Sequence, residues 1–173
     1  MLSNSSNKIA CSAIAGVAAC GIAMGTNYYL DQRRSEYKTT GALLDAMTRD
    51  VEQDTQKLKL RAQTLNAVMD DDKKKLAQLD QEVRQGKVEQ DAARKELRNI
   101  DANIAKIKQE QERIDDRIAS YREAATTEAG TSGADIKRLD AQIENMQAEA
   151  AKLRKTMTAL TAQRDSLSWG KAA

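Results

Sequence analysis

The chain has 173 residues, 28 basic against 26 acidic side chains for a net charge of +2, 31% charged residues and 3% aromatics, with no Pro, Phe or His. Such a composition is rich in helix formers and poor in what fills a thick globular core. The signs are interspersed, so no basic patch points to nucleic acid, and no aromatic platform alternates with cations as a single-strand binder requires.

Residues 9–30 carry no charged side chain and follow a short polar start holding one cation, Lys8. That is the layout of a signal or anchor segment. Within it, Val17-Ala18-Ala19-Cys20 sets an aliphatic and two small residues before a Cys, the order of a bacterial lipobox. The segment resembles the lipoprotein signal class. That resemblance implies acyl chains such as palmitate on Cys20, loss of residues 1–19 as a signal peptide, and a membrane-proximal tether over residues 20–40. Cys11 lacks this context and reads as a passive signal-peptide residue. One Cys would remain after cleavage, so no disulfide could form within the chain.

The same stretch, residues 9–30, is also long enough to cross a bilayer of ~30 Å as an uncleaved helix. Gly21 and Gly25 would then form a close-approach pair, with Tyr28, Tyr29, Arg33 and Arg34 at the interface. The lipoprotein version faces the periplasm of the cell envelope, and the single-pass version faces the cytoplasm. Both stay open at this point. Residues 21–36, GIAMGTNYYLDQRRSE, are similar to glycine-zipper lipoproteins, in which small apolar residues precede a Tyr pair and an Asp-Gln-charged run. Only anchoring is implied by that likeness.

Heptad patterning begins weakly, with Leu44, Val51, Leu58, Leu65 and Asp72 against Met47, Asp54, Arg61 and Val68. From Asp72 to Leu76 the register gains four residues, the spacing of a stutter. The strongest block follows over residues 76–125. Its a positions are Leu76, Val83, Gln90, Leu97, Ile104, Gln111, Ile118 and Ala125, and its d positions Leu79, Gly86, Ala93, Ile100, Ile107, Ile114 and Tyr121. All but Gln90, Gln111 and Gly86 are apolar, which predicts a supercoiled seam. The polar members Asp54, Arg61, Asp72, Gln90 and Gln111 either fix register and partner choice or mark a loosely packed first helix. The run Asp70-Asp71-Asp72-Lys73-Lys74-Lys75 reads as a self-neutralising helix surface, since each Asp has a Lys at i+3.

One helix over residues 41–128, ~130 Å long and at most kinked, is expected, because the register persists across Gly86 and one Gly costs only about 1 kcal/mol in a helix. The alternative breaks the chain near Gly86 into a three-helix bundle. A turn is expected within residues 126–135, where Gly130 or Gly133 can supply a left-handed residue and Ser132 or Asp135 a cap. An antiparallel helix over residues 136–168 follows, with Ile136, Leu139, Ile143, Met146, Ala150, Leu153, Met157, Leu160, Arg164 and Leu167 on its seam, all but Arg164 apolar, and a tail over residues 169–173. Trp169 falls off that seam, as packing over the bundle end or as an anchor for a partner.

The fold expected is thus all-α, an elongated coiled coil with an antiparallel turn. With no His, and thiols only in the membrane-directed segment, no nucleophile–base pair can be assembled, and no phosphate loop or zinc spacing occurs. No catalysis, cofactor, metal or small-molecule substrate is expected. The functional expectation is a membrane-anchored lipoprotein serving as a structural spacer or scaffold. The alternative is an adapter or assembly factor that recruits a helical partner. Membrane lipid through Cys20, and a second copy or a foreign helix on an exposed seam, are the partners implied.

Overall fold

The computed structural model describes residues 26–128, 130, 133–167 and 169. They form four helices, α1 Thr26–Glu36, α2 Thr40–Arg84, α3 Gln90–Glu128 and α4 Gly133–Asp165, with no strand among the described residues. Residues 1–19, Cys20 and all but the end of the 9–30 stretch lie outside the described residues, as do Ser132 and most of the tail. Among the described residues no helix is long and apolar enough to cross a membrane.

The continuous helix over residues 41–128 is not formed. α2 stops at Arg84 and α3 starts at Gln90, with a reversal between them at Gly86. Gly86 has φ +65, the left-handed conformation. Its N–H bonds the Val83 carbonyl at 3.1 Å, and the Lys87 N–H reaches back to Glu82 at 2.9 Å. This pair of bonds is a Schellman cap, which satisfies carbonyls that a broken helix would otherwise leave bare. A straight helix would spare the cost of turning, yet it would leave much of its apolar stripe in water. Each Leu or Ile so exposed forfeits about 1.5–3 kcal/mol, so burial decides in favour of the turn.

The result is an up-down-up bundle in which α2 and α4 pack most extensively. They run parallel: Arg138 meets Asp45 at 3.6 Å, Gln163 donates to the Lys73 carbonyl at 3.0 Å, and Trp169 bonds Asp80. α3 runs antiparallel to both, with Arg117 on Asp54 at one level and Asn103 on Asp72 at another. At 1.5 Å per residue α2 gives the rod a length of ~70 Å. At the other end α3 continues to Glu128 and α4 begins at Gly133. Neither Gly130 nor Gly133 takes a positive φ there, contrary to expectation, and Asp135 lies within the first turn of α4 instead of capping it.

α2 corrects the reading of the first heptad block. Buried residues run Leu44, Thr48, Val51, Thr55, Leu58, Leu65, Met69, Asp72, Leu76 and Leu79, with Ala62 partly buried in the gap. These are unbroken four-three spacings, so there is no stutter between Asp72 and Leu76. Met47 is fully buried as expected, while farther along the helix Thr55, Ala62 and Met69 line the seam one residue beyond the expected Asp54, Arg61 and Val68, with Thr48 buried in the same stripe. Each Thr hides its polarity by donating to the carbonyl four residues back, Thr48 to Leu44 at 2.8 Å and Thr55 to Val51 at 2.7 Å. Internally satisfied in this way, a Thr packs through its methyl group as a small apolar side chain.

Among the seam residues expected in α3 and α4, Leu97, Ile100, Ile107, Ile114, Ile118, Leu139, Ile143, Met146, Leu153 and Leu160 are buried in one core cluster, and Ile104 and Ile136 pack against it partly buried. Leu44 to Leu76 are covered too, which corrects the expected exposed seam: α4 and α3 fill it within one chain. Leu60 is the exposed large hydrophobic among the described residues.

The turn makes a prediction with a sign. An ideal Cβ at Gly86 would meet nothing within 4 Å, so Gly86→Ala carries only the left-handed backbone penalty. It is expected to destabilise by about 1–2 kcal/mol in urea unfolding. In a continuous helix the same change would instead stabilise by about 1 kcal/mol.

Candidate functional site

Among the described residues no group of three or more His, Cys, Asp or Glu is arranged to hold a metal ion. What stands out is polar chemistry taken inside the bundle on the α2–α3 side. Seven residues apart on each helix, Asp54 and Arg61 of α2 face Arg117 and Glu110 of α3 in reversed order. Arg117 Nε donates to Asp54 at 3.0 Å and Arg61 to Glu110 at 3.1 Å. The antiparallel direction makes the charges complementary, and a one-heptad slip would set Asp54 against Glu110. The polar seam residues thus fix register, in place of a loosely packed first helix.

Asp72 extends this ladder toward Gly86. It is 2% exposed, and both its oxygens accept from the Asn103 amide, at 3.1 and 3.3 Å. The neighbouring Asp70 and Asp71 stay on the surface and pair with Lys73 and Lys75, as a self-neutralising face should. Burial pushes the Asp72 carboxyl above its usual range, against the pull of Asn103 and Lys75. Glu110 is likewise raised by burial, despite Arg61 and Arg113 beside it. Gln111, also in the seam, is buried and donates to Asp115 at 3.3 Å, whereas Gln90 is exposed at the start of α3.

The densest part of the network joins α1 to the other helices. Tyr29 and Tyr121 meet edge to face with centroids 5.2 Å apart, and the Arg117 guanidinium lies 4.9 Å from one ring and 4.6 Å from the other. Each phenol donates to a carboxylate, Tyr29 to Asp50 at 2.8 Å and Tyr121 to Asp54 at 2.7 Å. Arg33 grips Asp50 with two N–H groups at 2.8 and 2.9 Å, and Arg34 reaches Glu128 at 2.6 Å. Burial raises both phenols far beyond their ordinary range, and the carboxylates they face add to it, so both keep their protons. Burial alone would raise Asp54, but Tyr121, Lys57 and Arg117 outweigh it and hold its carboxyl below the usual range. A cation flanked by two rings and anchored to a carboxylate is a strong positional clamp.

Neither sequence reading, a tether over residues 20–40 or a membrane interface at Tyr29, Arg33 and Arg34, anticipates this clamp. Tyr29 and Leu30 are instead buried in the core cluster, which takes the end of the 9–30 stretch out of contention as lipid-facing helix. A signal for the ladder was present in the order acid-base in α2 against acid-base in α3, reversed by the hairpin. Trp169 is partly buried on the core, its Nε1 donating to Asp80 at 3.0 Å and its carbonyl accepting from Arg94, so it covers the Gly86 end of the bundle. Cys20, the expected lipidation site, lies outside the described residues.

Comparison with family models, with curated proteins and with solved structures gave no match.

Asp72 supplies a pH-dependent prediction. A carboxyl raised in the fold contributes stability that is fully present below its unfolded pKa and is lost as pH rises through the folded value. At neutral pH the buried charge is therefore a cost. Asp72→Asn keeps an acceptor for Asn103 and removes the charge, so its urea midpoint should exceed the parent's at pH 7 and converge on it below about pH 4. An unchanged or lower midpoint at pH 7 would mean that the carboxylate is held there without penalty.

Proposed function

We propose that this chain is a membrane-anchored coiled-coil lipoprotein of the bacterial envelope, held by lipid on Cys20, with its bundle serving as a structural spacer or scaffold in the periplasm. The observation that carries the reading is the docking of α1. The helix that follows the apolar segment is clamped into the bundle, and residues 21–25 alone separate it from Cys20. At full extension they span ~18 Å, so an anchor at Cys20 would hold the bundle close to the bilayer surface.

The exterior supports a scaffold more than a recruiting adapter. Uncovered seam residues between Leu44 and Leu76 were the feature that would favour an adapter, and those positions are filled by α3 and α4. A spacer also needs rigidity along its length, which the register-fixing ladder of Asp54, Arg61, Glu110 and Arg117 supplies.

Intact mass of the membrane fraction tests the anchor. The expected product begins at Cys20, lacks residues 1–19 and carries two or three acyl chains, and Cys20→Ser is expected to abolish acylation. A membrane-bound species retaining Met1 with an unmodified Cys20 would overturn the lipoprotein reading.

A further inference from the structure

α1 differs from the other helices in how it is held. Of its described side chains only Tyr29 and Leu30 are buried, and the remaining attachments are polar: Arg33 on Asp50, Arg34 on Glu128, and the Tyr29 hydroxyl on Asp50. Its 11 residues fall short of the length at which a helix persists alone in water, so its helicity depends on docking. α2, α3 and α4 instead bury continuous apolar stripes against one another. Detaching α1 would uncover Tyr121 and take Tyr29 and Leu30 out of the core cluster, while leaving the contacts among α2, α3 and α4 in place.

Direction adds a second observation. Tyr29 lies against Tyr121 and Arg34 against Glu128, so α1 runs parallel to α3. The Thr26 end of α1 therefore lies on the flank of the bundle, nearer Gly86 than its Glu36 end is. With α1 detached, residues 21–39 become the link to α2, ~65 Å at full extension.

We infer that α1 is a releasable strap, closed on the α2–α3 groove by Arg33, Arg34 and Tyr29, whose opening sets how far the bundle stands from the segment that precedes it. The spacing role rests on the anchored reading above, whereas the opening itself does not. Tension on the N-terminal segment reaches α1 before any other described helix. Closure leaves residues 21–25 as the link between Cys20 and the bundle, and release lengthens that link to residues 21–39. Because closure relies on ion pairs that water reaches, with Arg34 nearly half exposed, salt shifts the balance toward the open form.

Hydrogen exchange of the full chain in detergent micelles, followed by mass spectrometry at about 50 and 500 mM salt, tests the strap. Peptides covering residues 29–36 are expected to exchange at least ~10-fold faster than those covering residues 44–79, and to speed up several-fold at high salt while α2, α3 and α4 do not. Asp50→Asn should give the same selective acceleration at low salt. Arg34→Gln, at a more exposed position, gives the same readout should the Asp50 variant fail to fold. Exchange of α1 in step with the bundle under both salts and in both variants would overturn the strap. Because this readout is independent of acylation, it leaves the mass test of the anchor untouched.

Discussion

Every feature of this protein depends on closing one apolar stripe per helix against the others within a single chain. A four-three stripe is too narrow to shield itself, and it must find partner helices or remain in water. Here α2 finds them through a reversal at Gly86 and a second one after Glu128, so Leu44, Val51, Met69 and Leu76 are sealed by residues such as Ile107, Leu139 and Leu153. The penalty of a left-handed residue at one Gly is small beside the burial of a stripe that long. The rod is therefore short, thick and self-contained, and its outer surface carries mixed charge.

Apolar stripes alone specify pairing poorly, since a heptad slip re-forms most of the same contacts. Polar side chains remove that ambiguity. Arg117 on Asp54, Arg61 on Glu110 and Asn103 on Asp72 are compatible with one alignment of α2 and α3. Specificity has a cost, visible in the raised carboxyls of Asp72 and Glu110, where burial exceeds what the partners return. The same groove, nearer the N-terminal end of α2, accepts α1 through Tyr29 and Arg33. Register control and strap docking thus share Asp54, Arg117 and Tyr121, which links the bundle's alignment to the place where the N-terminal segment joins it.

The stripes of α3 and α4 were legible because Ile and Leu dominate them. α2 was misread where Thr48 and Thr55 occupy seam positions, since a hydroxyl that bonds its own helix leaves no mark in a polarity pattern. Met47 is buried as the pattern suggests, but continuing from it to Asp54 and Arg61 implies a stutter that the chain does not have. The common count of Val83, Gln90 and Leu97 favours a continuous helix over the alternative reversal at Gly86, yet the intervening residues are not helical and the shared count carries no structural meaning. α1 falls in the expected membrane-proximal tether, and only the alternative single-pass reading puts Tyr28, Tyr29 and two arginines at a membrane boundary, a pattern that a bilayer interface and a buried aromatic–cation clamp both fit. Tertiary context alone separates them.

The in-chain closure of the apolar stripes requires the reversal at Gly86, and the distance between spin labels at positions 57 and 106 measures that reversal directly. In the bundle, Lys57 and Lys106 lie on adjoining antiparallel helices, each one turn from the Arg61–Glu110 pair, so the separation should be under ~30 Å. A distribution centred near ~70 Å would mean one straight helix, an open seam and a different protein from the one described here.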